Sequence, residues 1–265
     1  MQYHGVLRKM TTELLDVVQY YLNFENDFLN INQLIEKKLS FSFDKYECLS
    51  CGLDLEIFRQ GFCKKCFFES AQAGDWIMHP EKSTAHLDIA DRDLDYEKKV
   101  QLQPHIVYLA QSSNVKVGVT RKSQIPTRWI DQGATKAVPI VEAPNRYLAG
   151  ITEVALKEHI ADKTNWRKML QNITNSDEDI TALRASLLNY IPDEVKDYTL
   201  ENEKVVDLIY PIENPPVKLK SLSLQKNPHY EGVLKGIKGQ YLIFEDDVVM
   251  NVRNNEGLVV NLEIS

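Results

Sequence analysis

Four cysteines are the residues of this chain whose spacing points most directly to chemistry. They form two matched pairs, Cys48-x2-Cys51 and Cys63-x2-Cys66, with eleven residues between the pairs and no cysteine elsewhere. Each pair brings two sulfur atoms to one tight turn, which is the arrangement that tetrahedral zinc requires. The sequence therefore predicts a metal site with four cysteine ligands.

The predicted metal has a structural role rather than a catalytic one, because four thiolates leave no open coordination position. Zinc at such a site contributes roughly 10–16 kcal/mol of apparent binding energy to folding. Residues 1–16 lack the apolar run of a secretory signal, so we expect an intracellular zinc site rather than two disulfides. Gly52 and Gly61 supply turn positions beside the pairs. Buried free thiols are the alternative interpretation.

Residues 105–170 contain the second group of candidate residues. Ile106–Ala110 and Val115–Thr120 are two β-forming runs joined by a short Ser/Asn turn, a pattern that predicts a β-hairpin. Pro126 favours the start of a helix, where its missing N–H costs nothing. Apolar residues at helical spacing predict another helix over residues 151–160. The elements expected here are thus a hairpin followed by two helices.

This stretch resembles the GIY-YIG nuclease superfamily, an α/β unit with a hairpin, a helix that carries an Arg and a later helix that carries a Glu. Ile106-Val107-Tyr108 stands at the first triplet and Lys116-Val117-Gly118 at the second, with Lys in place of the second Tyr. Arg128 and Glu153 fall on the two helices. The whole chain also resembles a bacterial family of unknown function through the motifs HIVYLA, KVGVTR, PTRWIDQGA, AGITE, KTNWRKML and GIKGQYLIF.

The nuclease resemblance implies hydrolysis of a phosphodiester bond. Glu153 would hold Mg²⁺ through a carboxylate oxygen, and the metal would polarise the phosphate. Arg128 would neutralise the charge that grows on the phosphate. Tyr108 would orient or deprotonate the attacking water, and Lys116 would act in place of the second Tyr or donate to a phosphate. The implied catalytic set is therefore Tyr108, Lys116, Arg128 and Glu153.

Each of these residues also has an ordinary structural interpretation. Tyr108 fits a half-buried aromatic residue of a strand. Arg128 can pair with Asp131 or Gln132 on its own helix, or be solvated. Glu153 can form a common helical ion pair with Lys157, four residues later. Asn165 can support the site or cap the turn before Trp166. These alternatives stay open at the level of sequence.

The charge of the chain is unevenly distributed. The net charge of −7 argues against general attraction to nucleic acid. Residues 105–172, however, contain ten Lys/Arg and five Asp/Glu, whereas residues 1–104 and 173–265 are both acidic. A single basic segment is expected if it alone contacts phosphate groups, although chance clustering on a solvated surface gives the same pattern. No apolar run is long enough to span a bilayer, so we expect a cytoplasmic protein without a membrane partner.

Three functions follow as hypotheses. The first is a Mg²⁺-dependent endonuclease that acts on DNA or RNA through residues 105–172. The second is a non-catalytic nucleic-acid-binding module that carries a zinc ribbon. The third is an assembly component whose acidic flanks bind a protein partner. Whether the chain is an enzyme is left open between them.

The expected fold class is α+β. The predicted segments are a small antiparallel β part (1–45), a zinc ribbon with an acidic linker (46–104), the GIY-YIG-like core (105–172), a helical connector (173–204) and a separate β-rich C-terminal unit (205–265).

Three local expectations accompany this division. Leu39, Phe41 and Phe43 alternate with serines, as expected for one face of a strand, whereas residues 12–21 fit either a strand or a helix. Ser176 is the expected N-cap of the connector helix. The resemblance to the bacterial family implies further cysteines within residues 74–104; this sequence has none there, so a linker without a second metal site is expected.

Overall fold

A computed structural model of the chain describes residues 1–25, 27–160, 165–174 and 179–265. Within these residues the strands are β1 (Gln2–Val6), β2 (Thr11–Glu13), β3 (Gln19–Asn23), β4 (Phe28–Asn30), β5 (Lys38–Tyr46), β6 (Ile57–Arg59), β7 (Phe62–Cys63), β8 (His105–Gln111), β9 (Val115–Arg121), β10 (Lys136–Ala143), β11 (Val206–Asp207), β12 (Lys220–Leu222), β13 (His229–Lys238), β14 (Tyr241–Phe244), β15 (Val248–Asn251) and β16 (Leu258–Ile264). The α-helices are α1 (Lys64–Glu69), α2 (Leu94–Gln101), α3 (Thr127–Asp131), α4 (Arg146–Lys157), α5 (Trp166–Leu170) and α6 (Ile180–Leu187). None of the described helices has the length and apolar character needed to cross a membrane.

The described residues form a mixed α+β structure with two compact units. Unit 1 consists of residues 1–69 and 209–265, and unit 2 consists of residues 70–208. The four cysteines therefore lie in unit 1, whereas Tyr108, Lys116, Arg128 and Glu153 lie in unit 2.

The main sheet of unit 1 has the strand order β1-β16-β5-β13-β14-β15-β12. Strand β5 pairs antiparallel with β16 on one side and with β13 on the other. Its sequence suits this central place, since Leu39 and Phe41 are fully buried while Ser40 and Ser42 point to the opposite face. The alternation predicted for this strand is confirmed from Leu39 to Ser42, whereas Phe43, which was expected on the same face as Leu39 and Phe41, is only partly buried.

The expectation of a separate C-terminal unit is not met. Strands β13 and β16 complete the sheet around β5, so the N-terminal and C-terminal segments share one structure. The buried Gln240 side chain also joins them: it accepts a hydrogen bond from the Met10 N–H at 2.8 Å and donates to the Met10 carbonyl at 3.1 Å. Alternation indicates which face of a strand is buried but not which distant strand pairs with it.

Unit 2 is built on the antiparallel sheet β11-β10-β8-β9. Strands β8 and β9 form the predicted hairpin, in which Tyr108 lies opposite Gly118 and Ala110 lies opposite Lys116. The alternate residues of β8, Val107 and Leu109, pack in a hydrophobic core that includes Ala149 and Leu156 of α4. Strand β11, which lies in the predicted C-terminal segment, pairs with β10 and belongs to this unit.

The predicted acidic linker is a folded part of unit 2. The Glu97 side chain of α2 is fully buried, and its carboxylate accepts hydrogen bonds from the backbone N–H groups of Asp91, Arg92 and Asp93 at 2.9, 2.7 and 3.0 Å. Many acidic residues in one segment indicated a solvated loop. One of them instead satisfies three backbone donors, which a buried carboxylate needs in order to be stable.

Helix α4 packs directly against the 3-10 turn Pro80–Lys82 in the same unit. A Cβ atom on Gly150 would lie 2.3 Å from the backbone nitrogen of Glu81 and 2.4 Å from the carbonyl carbon of Pro80. Only glycine permits this approach, because any side chain would overlap the backbone of the turn. The glycine of the AGITE motif thus brings residues 80–82 against the helix that carries Glu153.

One local alternative is also decided, and one expected N-cap lies outside the described residues. Residues 12–21 contribute to β2 and β3, which pair antiparallel, so the strand interpretation is correct. Ser176 lies outside the described residues. Helix α6 begins at Ile180, and the Asp179 side chain caps it by accepting from the Thr181 N–H at 2.9 Å.

Candidate functional site

The four cysteines meet at one point in unit 1. Cys48 and Cys51 lie on one turn, Cys63 ends β7, and Cys66 lies in α1. Their sulfur atoms all lie within 4.8 Å of one another. Tetrahedral coordination at a Zn–S distance of about 2.3 Å places sulfur atoms about 3.8 Å apart, so the observed arrangement can close around a metal ion such as zinc. Gly52 and Gly61 have φ values of 70° and 76°, as their predicted turn roles require.

Backbone donors prepare the first of these sulfurs for a metal. The Cys63 N–H donates to Cys48 Sγ at 3.2 Å. Burial acts to raise the pKa of Cys48, but hydrogen bonds from the backbone of Cys51, Cys63 and Ser50 outweigh it and lower the pKa to about 6. A thiolate is the form of cysteine that binds metal, so these backbone donors favour the ligand form of Cys48. The pKa of Cys66 shifts the other way, to about 12: a hydrogen bond with Ser50 lowers it, but burial and hydrogen bonds with the other three cysteines outweigh that effect.

Tyr108 is the centre of the candidate site in unit 2. Its side chain is fully buried, and its ring crosses the neighbouring strand above Gly118, where a Cβ atom would lie only 2.7 Å from the ring and the hydroxyl. The hydroxyl donates to Gln132 Oε1 at 3.3 Å and is hydrogen-bonded to Arg128. The glycine at the second triplet position therefore lets the tyrosine reach the helix that carries Arg128.

Glu153, on α4, acts electrostatically on Tyr108. Burial raises the pKa of Tyr108 to about 12; the charge of Arg128 opposes this rise, and the charge of Glu153 adds to it. Glu153 is itself nearly enclosed, and its Oε1 lies 3.2 Å from Lys157 Nζ. The helical ion pair weighed from the sequence is thus present, and it lies beside the tyrosine and the arginine.

Arg146, at the start of α4, belongs to this group although the sequence analysis did not identify it. Its Nε and a terminal nitrogen donate to the carbonyls of Trp76 and Ile77 at 3.0 and 2.8 Å, and its guanidinium lies 5.4 Å from the Trp76 ring centre. Burial lowers the pKa of Arg146 to about 10, while Glu153 opposes the shift. We call Tyr108, Arg128, Gln132, Arg146 and Glu153 the Tyr108 cluster.

One sequence signal did point to Arg146. An arginine in the first turn of a helix lies at the positive end of the helix dipole, which is unfavourable for a positive charge. It is tolerated there only when other groups compensate its charge. In unit 2 the compensating groups are the carbonyls of the turn at Trp76 and the carboxylate of Glu153. The signal is weak, because an exposed arginine at the same place is also common.

The structure brings together three of the four residues in the implied catalytic set. Tyr108 interacts electrostatically with both Arg128 and Glu153. Lys116 lies on the same face of the hairpin but opposite Ala110, two residues from the Tyr108–Gly118 pair. Asn165 caps α5, where its side chain accepts from the Arg167 N–H at 2.9 Å. The capping interpretation of Asn165 is therefore confirmed.

Comparison with known proteins adds the family. The model of a family described as "Protein of unknown function (DUF2797)" matches residues 36–260. The chain belongs to this family. Searches among curated proteins and among solved structures give no match. The family match spans the four cysteines and the whole Tyr108 cluster, so both candidate sites lie within the family region of the chain.

Proposed function

We propose that the protein binds nucleic acid through the phosphate backbone at the Tyr108 cluster. The observation that carries the proposal is the positive charge of this cluster. Arg128 is half-buried and acts on Tyr108, buried Arg146 adds a second positive charge, and the Glu153 carboxylate is already paired with Lys157; Glu81 is the other carboxylate that acts on Arg146. Planar guanidinium groups suit phosphate oxygens because they offer parallel donors. The cluster also lies in the basic segment of the chain, residues 105–172.

The test is the salt dependence of binding to labelled single-stranded and double-stranded oligonucleotides, measured by fluorescence anisotropy. Binding through phosphates must weaken steeply as salt is added, because counterions are released on binding. Arg128→Ala should weaken binding about tenfold, the loss expected for about 1.4 kcal/mol of a charge-assisted contact. Arg128→Lys should restore it only in part, since a point charge lacks the second donor.

Arg8→Ala is the matched control, because Arg8 is an exposed arginine of unit 1 and its loss changes the net charge equally. Equal weakening by Arg8→Ala and Arg128→Ala would contradict a localised site. Absence of salt-sensitive binding in the wild type would favour the third hypothesis, an assembly component whose acidic flanks bind a protein partner.

Mg²⁺-dependent phosphodiester cleavage is the second candidate function. It is favoured by the meeting of a hydroxyl, a guanidinium and a carboxylate in Tyr108, Arg128 and Glu153, which are the groups that the GIY-YIG resemblance requires. In this role Glu153 would hold Mg²⁺ and Arg128 would stabilise the phosphate charge. It ranks second because burial raises the pKa of Tyr108, which disfavours its deprotonation further, and because Glu153 is paired with Lys157.

The same protein samples decide between the two candidates. Wild type and Glu153→Gln are incubated with the oligonucleotides in the presence and absence of Mg²⁺ or Mn²⁺. Cleavage that requires the metal and disappears in Glu153→Gln would establish the nuclease. Equal cleavage by both proteins would identify a contaminating enzyme.

For unit 1 we propose that the four cysteines hold Zn²⁺ and that this metal is structural. Four thiolates form a closed tetrahedral site, which suits zinc and leaves no position for substrate. The convergence of the four sulfur atoms supports this proposal. The nucleic-acid-binding role is assigned to unit 2, and the zinc is assigned to the folding of unit 1.

A further inference from the structure

Lys157 and Glu153 form an ion pair whose setting differs from that of a surface pair. Their side chains are one helical turn apart on α4, with Nζ 3.2 Å from Oε1. Pairs at this spacing are usually solvated on both sides and contribute little. Here the Glu153 side chain is only 11% exposed, whereas Lys157 is 37% exposed. The carboxylate is thus enclosed, and the ammonium covers it from the solvent side.

Most of the other charges in this neighbourhood are positive. Glu153 acts on Arg146, which lies on the same helix, and Arg146 in turn lies within the fields of Arg128 and Arg121; Glu81 is the other carboxylate that acts on Arg146. Positive groups therefore outnumber carboxylates around Arg146. A divalent ion brought to Glu153 would have to displace the Lys157 ammonium and then meet the repulsion of the guanidinium groups.

The ligand set is likewise unfavourable for Mg²⁺. Magnesium prefers octahedral oxygen coordination and is usually held by one or two carboxylates together with phosphate oxygens and water. In the Tyr108 cluster, Glu153 is the sole carboxylate, and the other members offer a hydroxyl, an amide and two guanidinium groups. Guanidinium groups carry no acceptor, so neither arginine can help to hold a cation. Arg146 already donates to the carbonyls of Trp76 and Ile77, which leaves Arg128 as the guanidinium that can bind a phosphate directly.

We infer that the Lys157 ammonium takes the position at Glu153 that a divalent cation would take in a metal-dependent phosphodiester site. Phosphate binding at the Tyr108 cluster, the proposed function on which this inference rests, then needs no metal ion. Lys157 acts as a specificity-determining residue: it supplies the positive charge beside the carboxylate as a fixed part of the chain and excludes the metal from that position.

The direct test uses Mn²⁺ as the probe and follows the electron paramagnetic resonance signal of the free ion. Wild type should show no saturable Mn²⁺ site, because Lys157 occupies the carboxylate. Lys157→Met, which keeps the apolar stem and removes the charge, should gain one site per chain. The double variant Glu153→Gln with Lys157→Met should lose that site again, which identifies Glu153 as the ligand. Thiolates are poor ligands for Mn²⁺, so the four cysteines do not interfere.

Two results would overturn the inference. One is a saturable Mn²⁺ site in the wild type that Glu153→Gln removes. The other is the lack of any gained site in both Lys157→Met and Lys157→Gln, two replacements that circular dichroism shows to be folded. Because Lys157 is partly exposed, both variants are expected to fold.

A second measurement separates this inference from the proposed function. Oligonucleotide affinity is measured in metal-free buffer with and without added Mg²⁺; a chelator is avoided because it would also compete for the metal of the four-cysteine site. We expect the two affinities to agree within about twofold, a difference of about 0.4 kcal/mol. Binding that appears only with Mg²⁺ would refute the role of Lys157 while leaving nucleic-acid binding intact. No binding in either buffer would refute the proposed function, whatever the Mn²⁺ result.

Discussion

The two candidate sites are specified in opposite ways. The four-cysteine site in unit 1 is assembled from residues 48–66, where a tight turn, the paired strands β6 and β7 and the start of α1 bring the sulfur atoms together. The Tyr108 cluster in unit 2 draws on two strands, two helices and the turn at Trp76, spread over residues 76–153. The first site follows from local spacing, whereas the second exists only when the unit has folded.

This difference determines what each site can tolerate. A metal site with short-range ligands depends on each ligand but little on the packing elsewhere. A cluster of buried charges depends on every element that shields and pairs them, because an unpaired charge in the interior is costly. Damage to the first site should therefore come from its own four residues. Damage to the second can come from residues that bear no charge at all.

The largest effect is expected from loss of a cysteine ligand. Purified protein should contain one zinc per chain, and Cys48→Ser or Cys66→Ser should unfold unit 1, because structural zinc contributes roughly 10–16 kcal/mol of apparent binding energy. The measurements are metal analysis and the circular dichroism of the strands. All three tryptophans, Trp76, Trp129 and Trp166, lie in unit 2, so their fluorescence reports whether that unit stays folded.

Lys65→Ser is the control for the cysteine variants, because it places a serine at a neighbouring position whose side chain is 77% exposed. It should leave metal content and melting temperature unchanged. A folded wild-type sample without zinc, or with the cysteines paired as disulfides, would contradict the prediction that the four cysteines hold a structural zinc ion.

A pH-dependent effect of intermediate size is expected at His105, next to the cluster. Its side chain is fully buried and Nδ1 is hydrogen-bonded to the Gln103 carbonyl at 2.7 Å. Burial lowers the pKa of His105 to about 4, and the charges of Arg146 and Arg121 add to the shift. As pH falls from about 6.5 to about 4, the unfolded chain binds a proton that the folded chain does not, so stability falls by about 2–3 kcal/mol.

The measurement is urea unfolding of unit 2 by tryptophan fluorescence at several pH values. His105→Asn keeps a donor near Nδ1 but does not titrate, so its stability should fall less than that of the wild type over this range. If the free energy of unfolding fell equally with pH in both proteins, His105 would not be held neutral by burial.

The smallest effect is expected from Gly118→Ala, an uncharged change that tests the packing of Tyr108. The added methyl group would lie 2.7 Å from the ring and hydroxyl, and overpacking of this kind costs about 1–3 kcal/mol. Urea unfolding of unit 2 should show this loss. In a Tyr108→Ala background the same substitution should cost little, because the ring is gone. An equal loss of unfolding free energy in both backgrounds would show that Gly118 is not needed to make room for the Tyr108 ring.

Some of this organisation was predictable from short-range patterns. The hairpin of β8 and β9 followed from two β-forming runs around a polar turn, and the cap at Asn165 was one of the two roles that the sequence left open for this residue. The carboxylate of Glu97 illustrates the limit. Its sequence context is acidic and polar, yet it is fully buried because three backbone N–H groups converge on it. Such convergence depends on the path of the chain and not on composition.

The sequence by itself determined the four-cysteine site, the faces of β5 and the basic character of residues 105–172, because turns, strand alternation and charge are properties of neighbouring residues. The tertiary structure decided which strands share a sheet and which charges surround Glu153. Strand β5 takes both neighbours from the distant C-terminal segment. Arg146 donates to the carbonyls of Trp76 and Ile77, which lie about 70 residues earlier in the chain, and Gly150 lets the nearby turn Pro80–Lys82 pack on α4. Contacts of this kind depend on close packing between remote segments, so the local periodicity of the sequence does not predict them.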